Sequence, residues 1–416
     1  MNTSLRRTAR PHPAQDLLTQ LQADLDSLER RQLLRGMTVL DAAEGSAVSI
    51  RGRRIVCFCL NDYLGLSRHP RVSDAAARSA RDWGVGARAS RLLAGTTRIH
   101  EALEGALAEW HGAARALVYS SGFLANLGTI TSLVSAGDCV LIDRLSHASL
   151  IDAARASRAT LKVFRHNDVG QVRALLGRAG GSRRSLVITE GVFSMDGDAA
   201  PLRELAEAAG AHGALVYVDD AHGAFVRGRC GRGSLEAAGL DERSPVVYMA
   251  TLGKALGSQG GFVAGPAALI RTLENRARSF IYSTALAVPA AAAALEALRL
   301  LGEEPWRRAS LEARARQLHA GLRERGFRTP ATASHIAPVV VGAPASALAL
   351  AEVLWDRGLW CPAIRPPTVP AGTSRLRLSL TADHREEDVE AVLGALGSDR
   401  ARRILKGRVR RGKRSG

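Results

Sequence analysis

Leu215-Val-Tyr-Val-Asp219-Asp-Ala-His222-Gly and, further along, Val246-Val-Tyr-Met-Ala-Thr251-Leu-Gly-Lys254 are the stretches whose reading decides the fold. Each opens on a short apolar run rich in β-branched and aromatic residues and ends on a polar group. That is the pattern of a buried strand delivering a functional side chain at its carboxyl end. In open α/β sheets, ligands bind in the crevice at those ends. Asp219, His222 and Lys254 are therefore expected to face one site, where they supply a carboxylate, an imidazole and an amine.

Taken singly, each residue has a plainer reading. A lysine after a glycine is most often a solvated loop residue, and Asp219, Asp220 and His222 are candidate metal ligands. No His-Glu-x-x-His and no cysteine pair at zinc spacing completes a metal site, so no metal is expected. Gly253-Lys254 is followed by Ala255 and lacks the upstream glycine of a P-loop, while Gly84-Val-Gly86 lacks the third glycine of a dinucleotide fingerprint. Together the three groups match the needs of pyridoxal phosphate. The amine forms a Schiff base with its aldehyde, the aspartate keeps the pyridine nitrogen protonated, and the histidine reaches the ring hydroxyl.

Three more segments repeat the strand-then-polar-turn pattern. Leu117-Val-Tyr-Ser-Ser-Gly122-Phe123-Leu-Ala-Asn126 reads as a strand, a small-residue turn and a helix start, whose free N–H groups suit a phosphate; an ordinary strand-to-helix turn is the alternative. Cys139-Val-Leu-Ile-Asp143 leads to Ser146-His147, placing an imidazole where it can stack on a flat cofactor, although a lone histidine is more often a loop or core residue. Leu186-Val-Ile-Thr-Glu190-Gly-Val-Phe-Ser194-Met-Asp-Gly-Asp198 follows, with Pro201 placed to open a helix.

From Asn61-Asp-Tyr-Leu-Gly-Leu66 to Leu376-Arg-Leu-Ser-Leu380 the order of motifs resembles the α-oxoamine synthases. The segments carrying the resemblance include Leu145-Ser-His147-Ala-Ser, Glu190 to Asp198, Val218-Asp219-Asp-Ala-His222-Gly, and Ile281-Tyr282-Ser283-Thr284. These enzymes are fold-type I pyridoxal phosphate transferases. The resemblance implies an α/β fold, a mostly parallel central sheet with flanking helices and a smaller α+β carboxyl-terminal lobe. It implies decarboxylative joining of an amino acid to an acyl thioester. Lys254 would hold the cofactor and act as base, Asp219 would hold the ring nitrogen, and His147 would stack on the ring. His222 and Ser194 match positions near the ring edge, and Gly122, Phe123 and Thr251 match phosphate-side positions. Ser283 and Thr284 match a phosphate contact made across a homodimer interface. Arg365 resembles the residue that grips a substrate carboxylate with a planar fork, and Arg35, Asn61 and Thr368 match substrate-side positions. Ala363-Ile-Arg365-Pro-Pro-Thr368-Val-Pro favours members that use L-alanine and pimeloyl-CoA or a pimeloyl-acyl carrier protein over glycine- or serine-using relatives.

The 416 residues, 46% of them hydrophobic, suffice for more than one lobe. The expected organisation is an arm and helix over 1–60, a cofactor lobe over 61–300, a small lobe over 301–396 and a basic tail over 397–416. Gln15 to Arg35 has the spacing of an amphipathic helix, and Arg375 to Leu380 alternates as a half-exposed strand does. Ser90 and His100 lie beside a segment poor in glycine and read equally as site-facing or as loop and helix-start residues. The five cysteines and the lack of a leader-like or membrane-spanning run fit a cytoplasmic protein with packing thiols. Of the formal charge of +17, Ala401 to Gly416 contributes +8 without an aromatic, which argues for a solvated appendage rather than a nucleic-acid binder.

Overall fold

Short apolar runs become strands throughout the computed structural model, which describes residues 13–179, 182–241, 243–332 and 334–412. The first strands are β1 (Ala42–Glu44), β2 (Ala47–Ile50) and β3 (Arg53–Cys57). The central sheet follows: β4 (Arg115–Tyr119), β5 (Cys139–Asp143), β6 (Thr160–Phe164), β7 (Ser185–Glu190), β8 (Leu215–Asp219), β9 (Val246–Thr251) and β10 (Gly261–Gly265). Its spatial order is β4-β10-β9-β8-β7-β5-β6. Strands β5 to β9 pair parallel to one another, and β10 runs antiparallel to both its neighbours.

The inner strands of the sheet are buried on both faces, as their apolar sequences require, while the edge strand β6 is partly exposed. Along β8, Tyr217 packs into one apolar cluster with Ile142 and Ile188, while Val216 and Val218 pack into another with Leu141 and Val187. Each such side chain contributes about 1.5–3 kcal/mol by leaving water. Parallel pairing brings the carboxyl ends of β5, β7, β8 and β9 to one edge. Beyond two of them, His166 ties Asp143 at 3.1 Å to Asp198 at 2.8 Å. Burial opposes the charge of His166, but the two carboxylates overcome it and push its pKa up to about 10.

The small lobe holds β11 (Ile336–Gly342), β12 (Leu359–Trp360), β13 (Ala363–Ile364) and β14 (Ser374–Ser379), with β11-β14-β13 forming an antiparallel sheet. β12 instead joins β3 in parallel, so the amino-terminal arm contributes three strands to this end of the molecule. The helix Trp306–Glu324 opens the lobe after Pro305, and Glu386–Leu396 packs against it.

Three expectations from the sequence are corrected. The first helix spans Pro13–Arg30, so Arg35 lies beyond it in irregular chain, and the face bearing Leu17, Leu18 and Leu21 is exposed. β14 is buried at every residue rather than half-exposed, because its polar side chains Arg375 and Arg377 face the other lobe and bond to it. The segment after Leu396 is also more than a solvated tail: it forms the helix Asp399–Gly412. Ala401 is fully buried there, Ile404 and Leu405 pack on the main core, and Arg400 pairs with Asp356 at 2.6 Å and Glu352 at 2.8 Å. Residues beyond Gly412 lie outside those described.

Truncation after Leu396 is expected to cost roughly 2–3 kcal/mol from lost apolar burial and the exposed core beneath it. Calorimetry would show this as a melting temperature lower by a few degrees, and an unchanged melt would mean that the helix docks without stabilising.

Candidate active site

The register of the parallel strands builds the site. Asp219, the last residue of β8, aligns with Glu190 at the end of β7 and with Met249 on β9. Lys254 follows β9 by three residues, in a tight turn closed by Ser258 N–H to Leu252 O (3.0 Å) and Gly257 N–H to Lys254 O (2.9 Å). Only glycine fits at 257, where φ is +62° and a Cβ would lie 2.2 Å from the Ser67 nitrogen. A cavity of about 210 Å³ results, lined by Gly122, Phe123, Asn126, His147, Ser149, Glu190, Asp219, Ala221, His222, Met249, Thr251 and Lys254. Larger cavities, of about 400, 610, 710 and 520 Å³, lie elsewhere among the described residues, but none gathers an amine and carboxylates.

Two directed donors fix the side chain of Asp219. Asn126 Nδ2 reaches it at 2.7 Å and the Ala221 N–H at 3.0 Å. Asn126 is itself fixed, donating to Ser149 Oγ and accepting from the Tyr217 hydroxyl, both at 2.8 Å. Glu190 accepts the N–H groups of His147 (2.8 Å) and Ser194 (3.1 Å), yet burial and the neighbouring Asp219 charge push its pKa up to about 8. Burial brings Lys254 down to about 8, against the pull of Asp219 and Glu190. Its Nζ lies 2.7 Å from His222 Nε2. Burial, and then the nearby cations Lys254 and Arg377, hold His222 well below the usual histidine range. Burial also lowers His147, whose Nδ1 accepts from the Ser149 N–H at 3.3 Å; both imidazoles are neutral near pH 7.

These residues fit pyridoxal phosphate. Asp219 supplies the anion for a ring nitrogen, Lys254 a buried amine with a lowered pKa, and His147 a flat neutral ring. For the phosphate, the helix Gly122–Leu133 begins at the cavity with Ser121 as its cap. The approach there is so close that a Cβ on Gly261 would come within 2.6 Å of Gly122 Cα. Thr251 Oγ1, bonded to Gly260 O at 2.9 Å, lies beside the same glycine.

Of the residues expected from the sequence, Gly122, Phe123, His147, Asp219, His222, Thr251 and Lys254 line the cavity. Ser194 adjoins it through Glu190, and its carbonyl accepts from Arg377. Asn61 is linked through Tyr63, which donates to Asn61 Oδ1 at 3.0 Å and contacts His222 Nδ1. Five others stand apart from the cavity lining. Thr284 pairs with Ser90 in an isolated bridge, and Ser283 is next to it. Arg35 donates to Thr368 Oγ1 at 3.1 Å, while the Arg365 fork is taken up by the carbonyls of Gln32 and Leu34. His100 caps the helix Arg98–His111 and bonds Leu286 O, a structural role. The sequence reading missed Asn126, Glu190, Tyr63 and Arg377 as site residues. For Arg377 the signal was present, since Arg375, Arg377 and Ser379 lie on one face of the strand Ser374–Ser379.

A family model, aminotransferase class I and II, matches residues 53–396, and the chain belongs to that family. With this fold and this site it is a fold-type I pyridoxal-phosphate-dependent enzyme. An 8-amino-7-oxononanoate synthase of Anaeromyxobacter dehalogenans (strain 2CP-1) is 48% identical over 385 residues, covering 92% of this chain and 96% of its own. A serine palmitoyltransferase from S. paucimobilis, solved with bound pyridoxal phosphate and myriocin, superposes with a TM-score of 0.88 at 33% identity, covering 94% of this chain and 98% of its own. The 8-amino-7-oxononanoate synthase of Francisella tularensis gives 0.73 at 26%, covering 86% and 99%. Both kinds of enzyme are α-oxoamine synthases.

Only a neutral amine attacks an aldehyde, so capture of pyridoxal phosphate is expected to accelerate as pH rises through about 8, the value for Lys254. The chain has just four lysines, Lys162, Lys254, Lys406 and Lys413, which makes borohydride trapping and peptide mass spectrometry decisive. Lys254→Ala should remove the trapped peptide and lower turnover by about 10³-fold or more. A label on another lysine would displace this assignment.

Proposed function

We propose that the chain catalyses the decarboxylative condensation of L-alanine with a pimeloyl thioester, giving 8-amino-7-oxononanoate for biotin synthesis. The observation that carries this is 48% identity, over nearly the whole of both chains, to an enzyme of that name. Superposition ranks a serine palmitoyltransferase higher, at a TM-score of 0.88 against 0.73. That measure follows a backbone shared by the class, whereas substrate choice lies in side chains, where identity is the better guide. Serine with a long acyl thioester is accordingly the second reading.

When bound, pyridoxal phosphate supplies a conjugated ring that accepts the electron pair left at the amino-acid Cα by loss of a proton or of carbon dioxide. Asp219 keeps the ring nitrogen protonated through its carboxylate. Lys254 Nζ, lowered toward neutrality by burial, takes the α-proton and later returns one. His147 offers a neutral face above the cavity floor. The new carbon–carbon bond forms at the thioester carbonyl as the thiol leaves, and loss of carbon dioxide from the resulting β-keto acid completes the exchange.

For the amino-acid carboxylate, Arg377 is the better-placed fork. Its guanidinium is buried, and it meets Asn61 Oδ1 and the Tyr63 hydroxyl at 3.3 Å each. Arg35, Arg365 and Thr368 are proposed as outer contacts. Arg377→Lys is expected to raise the KM for L-alanine by about 10-fold or more while leaving pyridoxal phosphate bound, because one ammonium does not reproduce a planar fork. Profiling L-alanine, glycine and L-serine against pimeloyl, acetyl, succinyl and palmitoyl thioesters tests the whole proposal. A preference for L-serine with palmitoyl would establish the second reading instead, and pimeloyl-CoA and pimeloyl-carrier arms would show which carrier is used.

The active species is proposed to be a cytoplasmic homodimer. Tyr282, next to the Ser283-Thr284 pair that resembles a contact reaching the neighbouring site, is 72% exposed, and Leu93, three residues from the Ser90 that bridges Thr284, is 81% exposed. Among the described residues no helix is long and apolar enough to cross a membrane. Light scattering at assay concentration is expected to give twice the chain mass of 44.2 kDa, and a fully active monomer would overturn the shared site.

A further inference from the structure

Tyr63 is fully buried, and its hydroxyl joins three polar groups. Arg377 Nη2 lies 3.3 Å away, Asn61 Oδ1 3.0 Å and His222 Nδ1 2.5 Å. Beyond the imidazole, His222 Nε2 is 2.7 Å from Lys254 Nζ. Counting donors and acceptors fixes where each proton sits. A guanidinium only donates, so Arg377 occupies one lone pair of the tyrosine oxygen. Arg377 Nη1 also approaches Asn61 at 3.3 Å, which requires the amide oxygen, not its NH₂, to face the pair. The Tyr63 proton therefore goes to Asn61. The remaining lone pair of Tyr63 faces His222, so Nδ1 carries the imidazole proton and Nε2 turns a lone pair toward the lysine.

We propose that Tyr63 is a positioning residue: anchored by Arg377 and Asn61, it holds His222 as the Nδ1–H tautomer and so presents Lys254 with an acceptor rather than a second donor. The charged and titratable groups around Lys254 are Asp219, Glu190, Arg377, His222, His147 and His335. Arg377 and burial favour the neutral amine, whereas Asp219 and Glu190 favour the ammonium. An acceptor at Nε2 adds to the second group. An N–H there would add to the first, and would swing the amine's proton balance at the pH where it must act as a base. The Tyr63 ring packs on His335 with centroids 4.0 Å apart, so phenylalanine preserves the packing and removes only the hydroxyl.

The inference rests on Lys254 being the cofactor lysine, but its first readout does not. Full-length protein labelled with ¹⁵N-histidine and freed of cofactor is expected to show His222 as the Nδ1–H tautomer, with the signal assigned by its loss in His222→Gln. In Tyr63→Phe the orphaned Nδ1 gives up its proton and the Nε2–H form appears. The midpoint of pyridoxal phosphate capture against pH then moves down from about 8 by roughly one unit. An Nε2–H tautomer in the unaltered protein overturns the proposal, and that measurement stands even if Tyr63→Phe does not fold. A folded Tyr63→Phe with unchanged tautomer and midpoint overturns it too, whatever its turnover. Capture at a different lysine with the Nδ1–H tautomer intact would refute the lysine assignment and leave the positioning of His222 supported.

Discussion

A buried acid placed beside a second one is the constraint on which the site depends. Asp219 sits at the end of a strand apolar on both faces, aligned with a second acid, Glu190, one strand away. Two adjacent anions in such a place repel, and the chain resolves this unequally. Asp219 receives Asn126 and a backbone N–H, with Asn126 braced by Tyr217 and Ser149. Glu190 receives two backbone N–H groups, but burial and its neighbour's charge still push it up to about 8. The environments of the two acids thus differ: in the function proposed above Asp219 serves a ring nitrogen, while Glu190, pushed up by burial and its neighbour, braces the loops bearing His147 and Ser194.

The same logic explains the lysine. Of 57 basic side chains only four are lysines, and one of these is the buried amine at the cavity. Arginine does not deprotonate in a protein, so a group that must alternate between amine and ammonium has to be lysine. Burial brings Lys254 to about 8, near the operating range of a base. Arginine serves where the charge is permanent, as at Arg377, whose fork links Ser194 on the large lobe to Asn61 and Tyr63.

The parallel sheet and the cofactor end of the site were legible because their signals are local: apolar runs of strand length, each ending in a polar residue, put Asp219, His147 and Lys254 on one edge. Asn126 and Glu190 were inside the quoted motifs but escaped notice, since their value comes from strand register and from a helix crossing above it. β14 was misread for a related reason. Alternation of Arg375 and Arg377 with leucines looks the same whether the polar face meets water or a second lobe, and only packing across the lobes decides. The docked helix Asp399–Gly412 was hidden by its arginines, which outnumber the few apolar residues that anchor it.

The outer arginines present a different economy of charge. Arg35 and Arg365 lie close together, and burial, with the Arg35 charge, pulls Arg365 below its usual value. Their donors are met by carbonyls of Gln32, Leu34, Arg365 and Pro366, which are neutral acceptors that solvate a cation without cancelling it. A carboxylate replacing any of those carbonyls would gain bonds roughly twice as strong as neutral ones and relieve the repulsion between the two guanidinium groups. Such a pair favours anionic partners over neutral ones of the same shape. The amino-terminal arm contributes half of it, and its strands are already joined to the small lobe through β3 and β12. In the function proposed above, selectivity at this end of the molecule would therefore be a property of the arm and the small lobe together, while the cofactor chemistry would belong to the sheet.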